Sequence, residues 1–152
     1  MSSPQIPRPE DFEKSVLGFG IKFPFEIDVR TGGVKTSQGR RHVKESIKRI
    51  VMSDIGDYPG EPDFGSGIPG EVFKPMSASQ ATRITIRLLN ALDKYEPRIK
   101  NVSVRVTLGS ESGEKHHLYI MVRYDFVESN EADNLVLTVD REAVGFNLRE
   151  RI

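Results

Sequence analysis

Apolar residues recur along this chain with a period of two in some segments and of three to four in others. In the first such segment every second residue is large and apolar, which predicts a strand with one apolar face. Pro24 cannot donate a ladder hydrogen bond, so this strand is predicted to lie at a sheet edge or to contain a bulge. The pair Gly32-Gly33 then predicts a turn. The alternating residues are Phe19, Ile21, Phe23, Phe25, Ile27 and Val29.

Two segments have the helical period instead. The first covers residues 39 to 53, and the second opens at Ser77, which forms a capping-box pattern with Gln80. Pro97 ends the second helix because its ring cannot continue the hydrogen-bond ladder. Residues 57 to 70 contain three prolines and four glycines, so they predict a shaped loop followed by a short helical turn. The apolar stripes are Val43, Ile47, Ile50 and Val51 on the first helix, and Ala81, Ile84, Leu88, Ala91, Leu92 and Tyr95 on the second.

The period of two returns in the last third of the chain. Alternating apolar residues over 102–108 and 118–126 flank the turn-rich segment 109–115, which predicts an antiparallel hairpin. A last alternation over 135–139 predicts one more strand. The predicted fold class is therefore α+β with two layers, an antiparallel sheet with two amphipathic helices packed on one face.

The first residues differ from the rest of the chain. Pro4, Pro7 and Pro9 stand in a polar leader, so residues 1–15 are predicted to form an extended N-terminal arm, with a single domain over 16–152. The leader has no apolar run, which excludes a signal peptide or a membrane span there. We therefore expect the protein to be assembled in the cytoplasm.

Composition narrows the classes of partner. The 22 basic residues balance the 22 acidic residues, so no global field attracts nucleic acid or an anionic membrane, and neither is expected as a partner. The chain has no cysteine, which excludes disulfides, cysteine-ligated zinc and a thiol nucleophile. A basic helix face keeps a nucleic-acid adaptor open as a lesser alternative to a solvated face. Its residues are Arg40, Arg41, Lys44, Lys48 and Arg49.

Several patterns suggest chemistry, but we predict no catalytic residue, no cofactor and no metal. Residues 65–70 match a dinucleotide-binding glycine pattern, yet a Pro/Gly loop precedes them where that motif needs a buried strand. His116 and His117 would point to opposite faces of a strand, so they do not form a zinc site. The glycosidase-like carboxylate pairs, Glu61 with Asp63 and Glu71 with Glu96, show no catalytic arrangement in the sequence.

Glu96-Pro97-Arg98 is the most specific candidate for recognition. Pro97 restricts the backbone at the helix exit, so the carboxylate and the guanidinium leave it in defined directions. The alternative is a helix stop flanked by an exposed ion pair that contributes under about 1 kcal/mol.

The motifs in their order resemble the baseplate wedge family that includes protein W of contractile phages and its relatives in type VI secretion and extracellular injection systems. The resemblance covers most of the chain, from about Gly18 to Phe126. The motifs that carry it are Gly18-Phe19-Gly20-Ile21-Lys22-Phe23-Pro24, Gly60-Glu61-Pro62-Asp63-Phe64-Gly65-Ser66-Gly67, Val72-Phe73 and Tyr95-Glu96-Pro97-Arg98-Ile99.

This resemblance implies a non-enzymatic structural subunit of a phage tail baseplate or phage-tail-like particle. It implies six copies near the inner tube or hub, where each links the core bundle of the baseplate wedge proteins to the first sheath ring and initiates sheath assembly. Residues Glu96, Pro97 and Arg98 would contact the core bundle. Because some members of the family carry a lysozyme label, a tail-associated peptidoglycan hydrolase stays open as the alternative.

The resemblance also implies that the sheath subunit binds by strand addition. An exposed sheet edge offers unpaired amides and carbonyls to an incoming strand, and we expect that edge to be the strand over 135–139. Its residues are Leu135, Val136, Leu137, Thr138 and Val139.

Overall fold

The computed structural model describes residues 16–72, 74, 77–111, 115–142 and 145–151. The predicted arm over 1–15 lies outside the described residues. The chain divides into two compact units, Met1–Lys48 and Arg49–Ile152. The single domain expected over residues 16–152 stays a prediction. The elements are β1 (Phe19–Ile21), β2 (Thr36–Gln38), α1 (Gly39–Met52), α2 (Ile68–Val72), α3 (Ala78–Tyr95), β3 (Ile99–Glu111), β4 (Lys115–Phe126), β5 (Ala132–Glu142) and β6 (Gly145–Arg151).

The second unit contains a four-stranded antiparallel sheet in the order β3-β4-β5-β6. The predicted hairpin is confirmed, with Val104 opposite Val122 in the register of β3 and β4. A register shift follows Lys100, where Asn101 has a positive φ of 53°. Strand β6 was not predicted from the sequence, and it pairs with β5 over residues 145–151.

Helix α3 packs along β3 and supplies much of the core of this unit. The predicted mixed α+β fold with antiparallel strands is therefore confirmed. Complete burial of one large apolar side chain contributes roughly 1.5–3 kcal/mol before the cost of ordering the chain is counted. The buried apolar residues include Ile84, Leu88 and Leu92 of α3, with Leu118, Ile120, Val122, Leu135, Leu137 and Val139 of the sheet.

The ends of α3 follow the predicted signals, with one difference. Ser77 is the N-cap, and its hydroxyl accepts a hydrogen bond of 3.2 Å from the amide of Gln80. The side chain of Gln80 does not return to Ser77 but donates to the carboxylate of Glu71 instead. Only half of the predicted capping box forms, because the amide oxygen of Gln80 accepts from the guanidinium of Arg83 and not from the backbone N–H of Ser77.

The first unit contains the β1–β2 hairpin, and the strand predicted from the alternation over residues 19–29 is shorter in the structure. Strand β1 has only three residues, and Phe19 is 77% exposed. The face opposite Phe19 is closed by a neighbouring side chain, since a Cβ added to Gly20 would lie 2.6 Å from Cε1 of His42. Small residues therefore face α1, and the alternating apolar residues face outward. The peptide bond between Phe23 and Pro24 is cis.

Candidate functional site

The corner after α3 is built around a salt bridge between Glu96 and Arg98. Nε of Arg98 lies 2.5 Å from Oε1 of Glu96, and its Nη2 lies 2.6 Å from Oε2. Both carboxylate oxygens therefore accept from the same guanidinium, the two-pronged arrangement in which arginine and carboxylate bind best. Glu96 is 1% exposed, so the alternative of a wholly exposed ion pair is wrong.

The backbone holds this corner from both sides. The amide of Glu96 donates to the carbonyl of Leu92 at 2.9 Å and so ends the helical ladder, and Pro97 follows it. The carbonyl of Arg98 accepts from the amide of Val127 at 3.0 Å, which fixes the first residues of β3. The guanidinium of Arg98, 25% exposed, is consequently presented in one orientation.

Ser66 gives the loop before α2 its shape. Its amide lies 3.1 Å from the carbonyl oxygens of both Ile50 and Ser53, and its hydroxyl donates to the carbonyl of Val51 at 3.0 Å. These acceptors belong to the end of α1, where backbone carbonyls lack helical partners. The hydroxyl also accepts from the amide of Ile68 at 3.2 Å, so one serine joins the end of α1 to the start of α2.

The glycines beside Ser66 allow this close approach. Gly65 has a φ of +116°, and a Cβ there would lie 2.5 Å from the carbonyl oxygen of Ser53. Gly67, with a φ of +65°, packs against Nη1 of Arg87. Residues 65–67 form a structural loop as predicted, but the helix that follows begins at Ile68, earlier than expected. Of these glycines, Gly65 allows the approach of backbone to backbone.

Glu71 is the centre of a charge network that sequence reasoning missed. The network joins α2 to α3, since Oε1 of Glu71 lies 2.8 Å from Nζ of Lys74 and 3.1 Å from Nη1 of Arg87. Gln80 donates to Oε2, and its own amide oxygen accepts from Arg83. The hydrogen bond from Lys74 is the main reason that the pKa of Glu71 lies below 4.5, its ordinary value. Partners up to 16 residues away in the chain leave no local sequence signal.

The candidate carboxylates either have structural partners or lie exposed at the surface. Glu71 has a lowered pKa, whereas a glycosidase acid needs a raised one. Both oxygens of Glu96 are bound by Arg98. Glu61 and Asp63 are exposed, and the carboxylate of Asp63 lies 4.0 Å from Nζ of Lys94. Cationic partners hold Glu71 and Glu96, and Glu61 and Asp63 are exposed, so none of the four has the apolar surroundings of a general acid.

The other candidate groups have limited support. Within the described residues no cluster of three or more histidine and acidic side chains is arranged to hold a metal. The side chains of His116 and His117 lie outside what the structure describes. On the basic face of α1, Arg41 pairs with Glu45 at 3.1 Å. No helix in the described ranges has the length and apolar character needed to cross a membrane.

The strand proposed for sheath binding does not lie at the sheet edge. Strand β5 pairs with β4 on one side and with β6 on the other, and Val139 lies opposite both Leu118 and Leu148. The edge position expected for residues 135–139 is therefore wrong, because Gly145–Arg151 folds back as an additional strand. Among the described strands the sheet edges are β3 and β6.

A sequence profile described as baseplate wedge protein gp25 matches residues 37–131. The chain belongs to this family. Gp25 of Enterobacteria phage T4 is 32% identical over 73 residues, which are 48% of this chain and 55% of the T4 protein. The alignment thus spans about half the length of that relative.

Solved structures have the same fold. A protein from Geobacter sulfurreducens named as a tail lysozyme is 30% identical, with a TM-score of 0.60 over 71% of this chain and 96% of that one. The baseplate of the anti-feeding prophage contains a chain that is 23% identical, with a TM-score of 0.60 over 74% of this chain and 89% of that one. The type VI secretion baseplate contains one that is 21% identical, with a TM-score of 0.59 over 67% and 93%.

The gp25 family match includes the loop around Ser66, the Glu71 network and the corner from Glu96 to Arg98. Strand β1 lies before it, and all of β5 and β6 lie after it. The resemblance inferred from the motifs is confirmed. This protein is a baseplate wedge-like structural component of contractile tail systems.

Proposed function

We propose that this subunit links the core bundle of the baseplate wedge proteins to the first sheath ring and initiates sheath assembly. The corner of Glu96, Pro97 and Arg98 carries the first contact. Its guanidinium is oriented by a buried carboxylate before any partner arrives. A side chain held in its binding geometry loses less conformational entropy on association. Pro97 is exposed beside it and adds a rigid apolar surface.

The proposed sheath contact is strand addition at a free edge of the four-stranded sheet. Residues Leu135 to Val139 occupy an inner strand, so the proposed site is the neighbouring strand β6, Gly145–Arg151. No described strand pairs with its outer side. The main-chain amides and carbonyls at the outer edge of β6 would form hydrogen bonds with an incoming sheath strand, regardless of the side chains of that strand.

Strand β3 offers a second edge of different character. A shallow groove runs between this strand and α3, with Val104 and Val106 on its floor. On the helix side, Thr82 and Thr85 line the groove, and their hydroxyls donate to backbone carbonyls of their own helix. An extended segment with small apolar side chains fits this lining, so β3 is the alternative edge for sheath binding.

The same proposal includes six copies per particle, a position near the inner tube or hub, and assembly in the cytoplasm. The sixfold symmetry applied to the anti-feeding prophage baseplate supports the copy number.

The role proposed is structural, and peptidoglycan hydrolysis is the competing function. The name of the Geobacter sulfurreducens protein favours hydrolysis. The lowered pKa of Glu71 and the enclosed carboxylate of Glu96 argue against it. Purified protein should leave cell-wall suspensions turbid. Clearing that is lost in Glu61→Gln would establish the hydrolase.

The decisive test of the corner is Arg98→Glu in the intact system, with sheathed particles counted by electron microscopy. We expect sheathed particles to be lost, whereas Arg123→Glu, the same charge change at an exposed residue of β4, should leave them at normal numbers. Normal numbers with Arg98→Glu would refute the assigned role.

A charge-swapped double variant separates folding from recognition at this corner. Glu96→Arg with Arg98→Glu retains one positive and one negative group, so the internal pair re-forms at least in part. We expect this variant to be more stable than Arg98→Glu and still to fail in assembly, because the guanidinium no longer occupies the contact position. Recovery of normal sheathed particles would show that the corner acts only through stability.

A further inference from the structure

Three cations form one row along helix α1, called here the basic row. Arg40, Lys44 and Lys48 are spaced four residues apart, which places them one above the other on the same side of the helix, roughly 6 Å apart. Each of the three side chains is half-buried, so its charge is partly withdrawn from water. Like charges at this spacing repel one another, so a negatively charged segment against the row would stabilise the helix.

The amino end of α1 favours a negative charge for a second reason. Aligned peptide dipoles give this end of a helix a partial positive charge. The first turn of α1 nevertheless contains no acidic residue and includes Arg40 and Arg41. Arg41 is paired with Glu45 of the next turn, at 3.1 Å. A carboxylate beside Arg40 would offset both the charge of that arginine and the helix dipole.

The carboxylates within residues 16–48 are held by other groups. This part of the chain contains seven lysine and arginine residues but only three carboxylates. Glu26 binds two lysines of the hairpin, at 2.5 and 2.9 Å. Asp28 accepts from a turn amide at 2.9 Å, and Glu45 binds Arg41. The remaining carboxylates of the first unit lie in residues 10–13, with the sequence Glu-Asp-Phe-Glu, called here the acidic segment.

The chain leads from the acidic segment directly to the start of α1. The amide of Gly39, the first residue of α1, donates to the carbonyl of Gly18 at 3.1 Å. The last acidic residue, Glu13, precedes Gly18 by five positions, and this length of chain spans at most roughly 17 Å. Lys48, at the far end of the basic row, is about 14 Å along the helix from Gly39. The whole row is therefore within reach of the acidic segment.

From this placement we propose that the acidic segment docks on the basic row of its own chain. Three carboxylates match three cations, and no other carboxylate of the first unit lacks a cation or an amide as its partner among the described residues. The short connection gives the segment an effective concentration of about millimolar order at the row, so ion pairs of modest strength hold it there. The basic face of α1 is thereby neutralised within the protein, and it is not a surface for nucleic acid.

Zero-length crosslinking of the purified full chain tests which groups meet. A carbodiimide joins a carboxylate to a lysine amine only where the two are in contact, and mass spectrometry locates the link. We expect links from the acidic segment to Lys44 or Lys48 at least about tenfold above links to Lys35, the matched control in the same unit, whose side chain is 45% exposed. The yield should fall at about 1 M salt, where the screening length is only about 3 Å. Equal yields at Lys35, or no link to the row, would overturn the proposal.

Two competing occupants are separated in the same experiment. In a mixture of isotopically labelled and unlabelled chains, links within one chain join peptides of the same label. Links that join labelled to unlabelled peptides as often as like to like would show that the row binds the segment of a second copy. Loss of the links on addition of duplex DNA at low salt would identify nucleic acid as the occupant. Either result contradicts docking within one chain.

Charge reversal of the row tests the ion pairs themselves. Phe12 lies inside the acidic segment, so docking should slow chymotrypsin cleavage after this residue. Lys44→Glu with Lys48→Glu should raise the cleavage rate about tenfold, because repulsion replaces attraction. Arg30→Glu, the same charge change at an exposed turn residue of this unit, should leave the rate unchanged. Equal rates in the row variant and in wild type would refute the proposal.

Changes in the segment itself provide a test that leaves α1 intact. Glu10→Gln, Asp11→Asn and Glu13→Gln together remove the negative charge and should raise cleavage after Phe12 as much as reversal of the row does. Lysine at the same three positions, combined with the reversed row, should restore slow cleavage, because the two sets of charges are again opposite. Fast cleavage in that combined variant, with unchanged circular dichroism, would contradict pairing between the segment and the row. None of these measurements involves the corner or the sheet edges, so their outcome is independent of the proposed function.

Discussion

The hydroxyl of Ser66 donates to the carbonyl oxygen of Val51 at 3.0 Å, across 15 residues of chain. Helix α1 ends at Met52, so this loop serine supplies a partner to a carbonyl that the helix itself leaves unpaired. The same hydroxyl receives the amide of Ile68, at the start of α2. A loop residue thus fixes how one helix ends and the next begins.

Ser66→Ala should destabilise the protein by roughly 1–3 kcal/mol, since it leaves a buried carbonyl and a buried amide without their partner. Chemical denaturation monitored by circular dichroism measures the loss. Ser103→Ala, at an exposed residue of β3, is the control and should change stability by less than about 0.5 kcal/mol. An equal effect of the two variants would contradict the role of Ser66.

Gly65→Ala should destabilise by about 1–3 kcal/mol or more, because alanine is strained at a φ of +116° and its Cβ would lie 2.5 Å from a backbone oxygen. Gly60→Ala is the matched control, with open space around its added Cβ. Thermal unfolding of the two variants compares them directly. Similar midpoints would show that the loop relaxes without cost.

Arg98→Ala should cost about 3–5 kcal/mol, because it leaves the buried carboxylate of Glu96 without its partner. Replacing both, as Glu96→Gln with Arg98→Ala, removes the isolated charge and should recover part of that loss. Urea unfolding of the two single variants and the double variant gives the coupling between the residues. Additive effects would contradict a coupled pair.

The Glu71 network predicts a loss of stability in acid. The carboxyl of Glu71 has a folded-state pKa below 4.5, mainly because Lys74 donates a hydrogen bond to it. Its contribution is therefore complete above pH 4.5 and declines as the pH falls through the lowered folded-state pKa. Wild type should exceed Glu71→Gln in urea midpoint at pH 7, and the difference should shrink towards pH 3. A constant difference would contradict this linkage.

Local patterns determined most of the regular elements. The spacing of apolar residues predicted α1, α3 and the β3–β4 hairpin, because burial of one face imposes the period of the element on the sequence. Ser77 and Pro97 marked the ends of α3 for equally local reasons. The hydroxyl of Ser77 accepts from an amide that has no partner within the helix, and Pro97 has no amide hydrogen to continue the ladder. The corner at Glu96 and Arg98 was found because a proline at a helix exit is visible in the sequence.

The tertiary structure decided which residues that are distant in the sequence contact each other. The alternation around Phe19 indicates a strand with an apolar side but not which side is covered, and His42 against Gly20 turns that side outward. Strand β5 became internal because β6 folds back on it. The charge of Glu71 is stabilised by groups from another helix. The period of the apolar residues shows which residues share a face of an element. Which residues pack against that face depends on how the whole chain folds.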